Sequence, residues 1–86
     1  MIIPVEICHL PEIMEIERHS FAQPWSEYHF QQEILNNNNS NWVCLRNMLV
    51  VGYLFSWFID NKFHLTNFAV SENYRRQGFG VKLLDH

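Results

Sequence analysis

Three strand-like runs follow one another with almost no chain between them, and this restricts the possible folds more than any other feature. Residues 42–46, 48–59 and 63–70 are rich in β-branched and aromatic side chains and are separated only at Arg46-Asn47 and at Asp60-Asn61-Lys62. Connections this short cannot hold a crossover, so neighbouring strands must pair antiparallel. The middle run is almost wholly apolar, as a central strand covered on both faces would be, and Gly52 within it predicts a bulge or a close backbone approach.

The segment before this meander predicts one strand and two helices. Residues 1–8 carry Ile2, Ile3, Val5 and Ile7, and Pro4 places that strand near a sheet edge. Pro11 suits a first helical turn, Glu12 and Glu15 favour its positive end, and Ile13, Met14 and Ile16 form an apolar stripe running to His19 or Ser20. Pro24-Trp25-Ser26 opens a second helix. Ser26 is its natural N-cap, Glu27 lies in its first turn, and Trp25 with Phe30 fits a hydrophobic staple. The run Asn36-Asn37-Asn38-Asn39-Ser40-Asn41 then predicts a loop, because Asn competes with helix hydrogen bonds. The order of strand, two helices and three antiparallel strands is an α+β fold.

After the third run comes Arg75-Arg76-Gln77-Gly78-Phe79-Gly80, and then Val81-Lys82-Leu83-Leu84, which reads as the start of a helix. Two glycines allow a tight turn in which successive N–H groups converge on an anion at a helix N-terminus, with Arg75 and Arg76 adding charge at the rim. Nothing in the sequence closes that helix, so the chain reads as the N-terminal part of one larger domain, with residues 1–86 a truncated unit.

Composition narrows the function. Hydrophobic residues make up 48% of the chain and charged ones only 17%, which excludes a disordered polyelectrolyte. A net charge of −3 gives no footprint for nucleic acid, so attraction for phosphate must be local. No signal segment opens the chain, and the apolar stretch 48–59 is too short to span a bilayer, which points to the cytoplasm and away from membranes. Cys8 and Cys44 lie in apolar runs without a pairing motif and are expected to be buried free thiols. The five histidines show no metal-ligand spacing with them, so no metal is expected.

Arg75, Gly78 and Gly80, between a strand and a helix, resemble the acetyl-CoA loop Q/R-x-x-G-x-G/A of the GCN5-related N-acetyltransferase superfamily. Within it, Ile16-Glu17-Arg18-His19-Ser20-Phe21, Pro24-Trp25-Ser26 and Asn67-Phe68-Ala69-Val70 are similar to bacterial ribosomal-protein alanine N-acetyltransferases. The likeness covers nearly all of this chain, but only the N-terminal part of a domain of about 150 residues. The resemblance implies that Phe68, Ala69 and Val70 pair through their backbone with the pantetheine arm of acetyl-CoA, one N–H polarising the thioester carbonyl. It implies that Arg76, Gln77, Gly78, Phe79, Gly80 and Val81 hold the pyrophosphate. The chemistry would be direct attack of a protein N-terminal amine, ribosomal by analogy, on acetyl-CoA, with no covalent acetyl-enzyme.

The family's Glu base and Tyr proton donor fall past His86, so no catalytic residue is assigned, and the 86-residue chain is expected to be inactive. Trp25, Tyr28 and His29 border the family's peptide groove, although a staple and a cap explain the Trp25-Ser26 pair without any substrate. Asn67 and His64 read as strand packing or sheet surface, and Phe79 as an anchor for its loop. Other readings are a non-catalytic acyl-CoA-binding module or a structural module that binds through an exposed strand. Because the family places a fifth strand beside the fourth, the resemblance also implies that truncation leaves residues 63–70 as an open edge inviting self-association.

Overall fold

The two hairpin turns are tight because four residues take the left-handed conformation. Asn47 and Met48 have φ of 52° and 68°, and Asp60 and Asn61 have φ of 52° and 62°. A pair of positive φ values gives the turn twist that matches the right-handed twist of the flanking strands. In this computed structural model, which describes residues 1–36, 38–75 and 84, strands β1 (Ile2–Pro4), β2 (Asn39–Arg46), β3 (Leu49–Ile59) and β4 (Lys62–Val70) form one antiparallel sheet in the order β1-β2-β3-β4. Helices α1 (Leu10–Ser20) and α2 (Glu27–Leu35) pack on one face of it, which makes the predicted α+β layering the observed one. The predicted helical start at Val81 lies outside the described residues.

β1 is shorter than the residue types suggest. Pro4 has no N–H to offer the ladder, and after Val5 donates to Asn41 O at 3.0 Å the chain leaves the sheet. Glu6 and His9 close a 3₁₀ turn over Ile7–His9, in which Glu6 N–H donates to His9 Nδ1 at 2.9 Å. That turn puts Cys8 at the surface, contrary to the expected buried thiol, whereas Cys44 is buried. The Asn tract also departs from expectation, because a strand begins within it. Asn36 ends α2 and β2 begins at Asn39, where the Asn39 and Asn41 amides each donate to Glu33 O at 2.9 Å. Asn side chains here tie a strand to the end of a helix instead of unravelling both.

The second helix starts as the sequence predicts. Ser26 Oγ accepts from His29 N–H at 3.0 Å, and Trp25 packs on Phe30 with centroids 5.1 Å apart. Phe30 meets Phe55 and Tyr53 edge-on at 5.2 and 6.0 Å, the arrangement that aromatic quadrupoles favour. Around this cluster lie Leu10, Ile13 and Ile16 of α1 and Val43, Val50 and Ala69 of the sheet.

Two bulges shape the sheet. Between the Cys44–Gly52 and Leu45–Val50 pairs, β3 carries the extra residue Val51, beside the glycine that predicts it. Past the end of the β4 ladder, Val50 N–H donates to Glu12 of α1 at 2.8 Å. In β4 the extra residue is Thr66, between the Phe55–Asn67 and Ser56–Leu65 pairs, and its hydroxyl donates to Phe55 O at 3.0 Å.

Among the described residues the sheet's other face is covered in part. Cys44 and Val51 are buried there under Ile2, Trp42, Phe68 and Tyr74. Farther along, Trp42, Leu54, Phe63 and Leu65 line an apolar groove of about 310 Å³, with Phe63 and Leu65 exposed.

Candidate functional site

The end of β4 combines an open edge with backbone donors. Ser71 N–H donates to Val51 O at 2.7 Å, and Gly52 lies opposite Val70. That bond makes Gly52–Val70 and Leu54–Phe68 the non-hydrogen-bonded pairs of the antiparallel ladder. The N–H and C=O groups of Phe68 and Val70 therefore face away from β3, along an edge that no described strand covers. Ala69, between them, turns its backbone to β3 and its methyl group into the core beneath α1.

A cleft of about 390 Å³ runs along this edge, lined by Ser20, Phe21, Phe68, Ala69, Val70 and Arg75. The sequence-predicted residues Phe68, Ala69 and Val70 thus share one cleft. Arg76, Gln77, Gly78, Phe79, Gly80 and Val81, the other predicted cofactor residues, lie outside the described residues. Arg75 is not simply a rim charge. Its Nε donates to Val70 O at 2.9 Å and its guanidinium reaches Ser20 Oγ at 3.1 Å, so it pins the chain leaving β4 to the end of α1. A second, smaller hollow of about 210 Å³ lies alongside, between α1 and the Ser71–Glu72–Asn73 segment, with Glu15 and His19 on its wall. Arg18 pairs with Glu15 there at 2.7 Å and holds that exposed carboxyl below its usual range.

Beneath the edge lies a polar network that sequence reasoning missed. Glu17 is almost wholly inaccessible at 1% exposure, yet its carboxylate has three donors from three parts of the chain. Trp25 N–H donates to Oε2 at 2.8 Å, and Tyr53 OH and the Asn67 amide donate to Oε1 at 2.5 and 2.8 Å. A buried carboxylate is tolerable only when so supplied. Burial first, and the Glu17 carboxylate second, push the Tyr53 hydroxyl far above its ordinary pKa, so it stays protonated. The signal available in the sequence was a Glu at the position after Ile16, on the apolar side of an amphipathic helix, where a solvated acid does not belong.

Asn67, read as strand packing, does more than pack. Its amide nitrogen is on Glu17, and its Oδ1 accepts the outward-facing Phe68 N–H at 2.9 Å. Of the residues expected near a peptide groove, Trp25 and His29 come together, rings stacked at 3.9 Å with 14° between planes, while Tyr28 is 69% exposed. His29 faces Glu33 at 3.5 Å, and Glu33 also accepts from the Trp57 indole at 2.7 Å. His64 is exposed on β4 opposite Trp57. Among the described residues no helix is long and apolar enough to cross a membrane, and no three metal-ligating side chains converge.

The model of the acetyltransferase (GNAT) family matches residues 10–86. The ribosomal protein bS18-alanine N-acetyltransferase of Escherichia coli strain K12 is 31% identical over 82 residues, which are 95% of this chain and 55% of that protein. The crystal structure of the ribosomal-protein-S18-alanine N-acetyltransferase from Escherichia coli matches with a TM-score of 0.91 at 30% identity, over 100% of this chain and 55% of that one. A GNAT-like decarboxylase, GphF, in complex with isobutyryl-CoA shares the fold at a TM-score of 0.88 and 16% identity, over 99% of this chain and 55% of that one. The chain spans about half the length of the curated relatives it matches.

Proposed function

Because the chain belongs to the acetyltransferase (GNAT) family, we propose that it is the cofactor-binding, N-terminal part of one domain that transfers acetyl from acetyl-CoA to a protein N-terminal amine. The acceptor proposed is a ribosomal protein alanine, by analogy with the relatives' names. The observation that supports this best is the open edge of β4, whose Phe68 and Val70 backbone groups face a cleft just before the R-x-x-G-x-G segment.

An extended, amide-rich pantetheine arm can pair with such an edge as an added strand would. The pyrophosphate would lie on Arg76, Gln77, Gly78, Phe79, Gly80 and Val81, where glycines let amides approach an anion. A thioester carbonyl reaching Phe68 N–H or Val70 N–H would meet a donor held by the sheet, and such preorganised donors stabilise an oxyanion as the amine attacks. The attacking amine would approach past the α1–α2 turn, where Ser20, Phe21 and Trp25 lie near the same end of the sheet. No residue among the 86 is assigned as general base or proton donor, so turnover by this chain alone is not expected, and the complete activity belongs to a longer protein of the relatives' size. That protein would work in the cytoplasm, where ribosomal substrates are made.

Titration of ¹⁵N-labelled protein with CoA tests the reading. Shifts should concentrate at Phe68, Ala69 and Val70 and at the Gly78 and Gly80 amides. Changes centred on the Asn36 to Asn41 tract, with both glycines unmoved, would show that the loop is an ordinary helix start.

A further inference from the structure

We propose that Glu17 and Asn67 are a positioning pair: the carboxylate fixes the Asn67 amide, and the amide aims the Phe68 N–H at the acyl carbonyl of a bound thioester. The inference rests on the cofactor reading above and adds residues to it that lie beneath the cleft.

The orientation of Asn67 is determined by its neighbours. A carboxylate only accepts and a backbone N–H only donates. With the amide turned one way, Nδ2 donates to Glu17 and Oδ1 accepts from Phe68 N–H, at 2.8 and 2.9 Å. Turned the other way, oxygen would face the carboxylate and NH₂ would face N–H, so both contacts would become repulsive. Asn67 is 9% exposed and Glu17 1%, so no solvent is at hand to soften that choice.

The grip matters because of where it falls. Thr66, just before Asn67, is the bulged residue of β4, so the ladder is interrupted immediately before the Asn67–Phe68 peptide unit. β3 reaches the Asn67–Phe68 peptide unit through Asn67, which pairs with Phe55, while the Phe68 N–H at its other end faces outward. The Asn67 amide holds the N–H end of that unit from below. The N–H can be shared between Oδ1 and an incoming carbonyl as a three-centre bond, a common arrangement in proteins. Because Trp25 N–H sits on the other oxygen of Glu17, the same carboxylate sets the α1–α2 turn relative to that donor.

Acetyl-CoA and CoA differ only in the acyl group, so the ratio of their affinities isolates the contact. In the unaltered 86-residue chain acetyl-CoA should bind several-fold more tightly than CoA, measured by calorimetry or ¹⁵N titration. In Glu17→Gln and in Asn67→Ala that ratio should fall to about one, while CoA affinity stays within about twofold. Folding is checked from the dispersion of the amide spectrum. Should Glu17→Gln fail to fold, Asn67→Ala carries the test, since it leaves two donors on Glu17. A parallel loss of both affinities would assign the pair a purely structural role and overturn the inference. A ratio that is unchanged, or that rises in Asn67→Ala because the amide had been competing for the N–H, would overturn it as well. Equal binding of the two ligands by the unaltered chain would sink this inference and leave the cofactor reading standing. Binding of neither would sink both.

Discussion

Replacing Tyr53 by Phe removes one oxygen from the centre of the molecule and isolates one hydrogen bond. The Tyr53 ring is 0% exposed and packed edge-on against Phe30 and Phe55, contacts that Phe retains. What is lost is the 2.5 Å bond to Glu17 Oε1. Hydrogen bonds to charged groups are worth about 1.5–3 kcal/mol. Glu17 keeps Trp25 N–H and the Asn67 amide, so a loss of about 2 kcal/mol is expected, from the middle of that range. A chain of this length has a total stability of roughly 4–13 kcal/mol, so the variant still folds, with a Tm lower by roughly 8–16 °C.

The pH dependence makes the test more specific. Unfolded Tyr53 releases its proton near pH 10, about the ordinary tyrosine value, whereas burial and the Glu17 carboxylate keep the folded group protonated well above that. The folded state therefore holds a proton that the unfolded state has lost, and raising the pH favours unfolding. This contribution is fully present below about pH 10 and declines above it by up to about 1.4 kcal/mol per pH unit. The variant lacks the group, so the stability gap between the two proteins should be constant from pH 7 to 10 and close above it. Urea melts of both proteins at each pH provide the comparison, and other titrating groups cancel in the difference. A gap below about 0.5 kcal/mol at neutral pH, or one unchanged through pH 11, would refute the placement of a buried carboxylate under Tyr53.

Other outcomes follow from the same geometry. Met48→Gly should stabilise the chain by about 1 kcal/mol, because Met48 is 85% exposed and holds φ of 68°, a region costly for any residue with a Cβ; an unchanged melting midpoint would contradict this. Gly78→Val should weaken CoA binding at least tenfold while shifting the melting midpoint little, and retained affinity in a calorimetric titration would remove that residue from the phosphate contacts. The edge of β4, which no described strand covers, and the apolar groove at Phe63 and Leu65 should promote self-association. Sedimentation across a concentration series should show it, with Leu65→Lys restoring the monomer; a monomeric unaltered chain at high concentration would contradict it.

What the sequence disclosed, it disclosed through local rules. Ser26 and Trp25 announce α2 because cap and staple act within five residues, and the hairpins follow from turns of two residues. Where it misled, a side-chain partner that no residue pattern announces had decided the outcome. Asn39 and Asn41 belong to a strand because the Glu33 carbonyl, on another element, accepts their amides. The 3₁₀ turn at Ile7–His9 hid beneath a β-branched run, since the Glu6–His9 pairing that closes it is weak as a pattern. At the candidate site, Phe68, Ala69 and Val70 were legible as a strand preceding a glycine loop. Glu17 was not, because the three donors that justify a buried acid are scattered from Trp25 to Asn67 and meet only once the chain has folded.

That scatter also bears on time. The β2–β3–β4 meander closes through turns of two residues, so its pairing costs little chain entropy and can form early. Glu17 reaches Tyr53 across 36 positions and Asn67 across 50, so its bonds belong to the last contacts made and the first broken. Substitutions at Glu17 should then leave the refolding rate almost untouched and speed unfolding, a division that stopped-flow chevron plots resolve. The buried carboxylate works as a latch on the assembled sheet, and how long the latch stays shut sets how long the native chain lasts between openings.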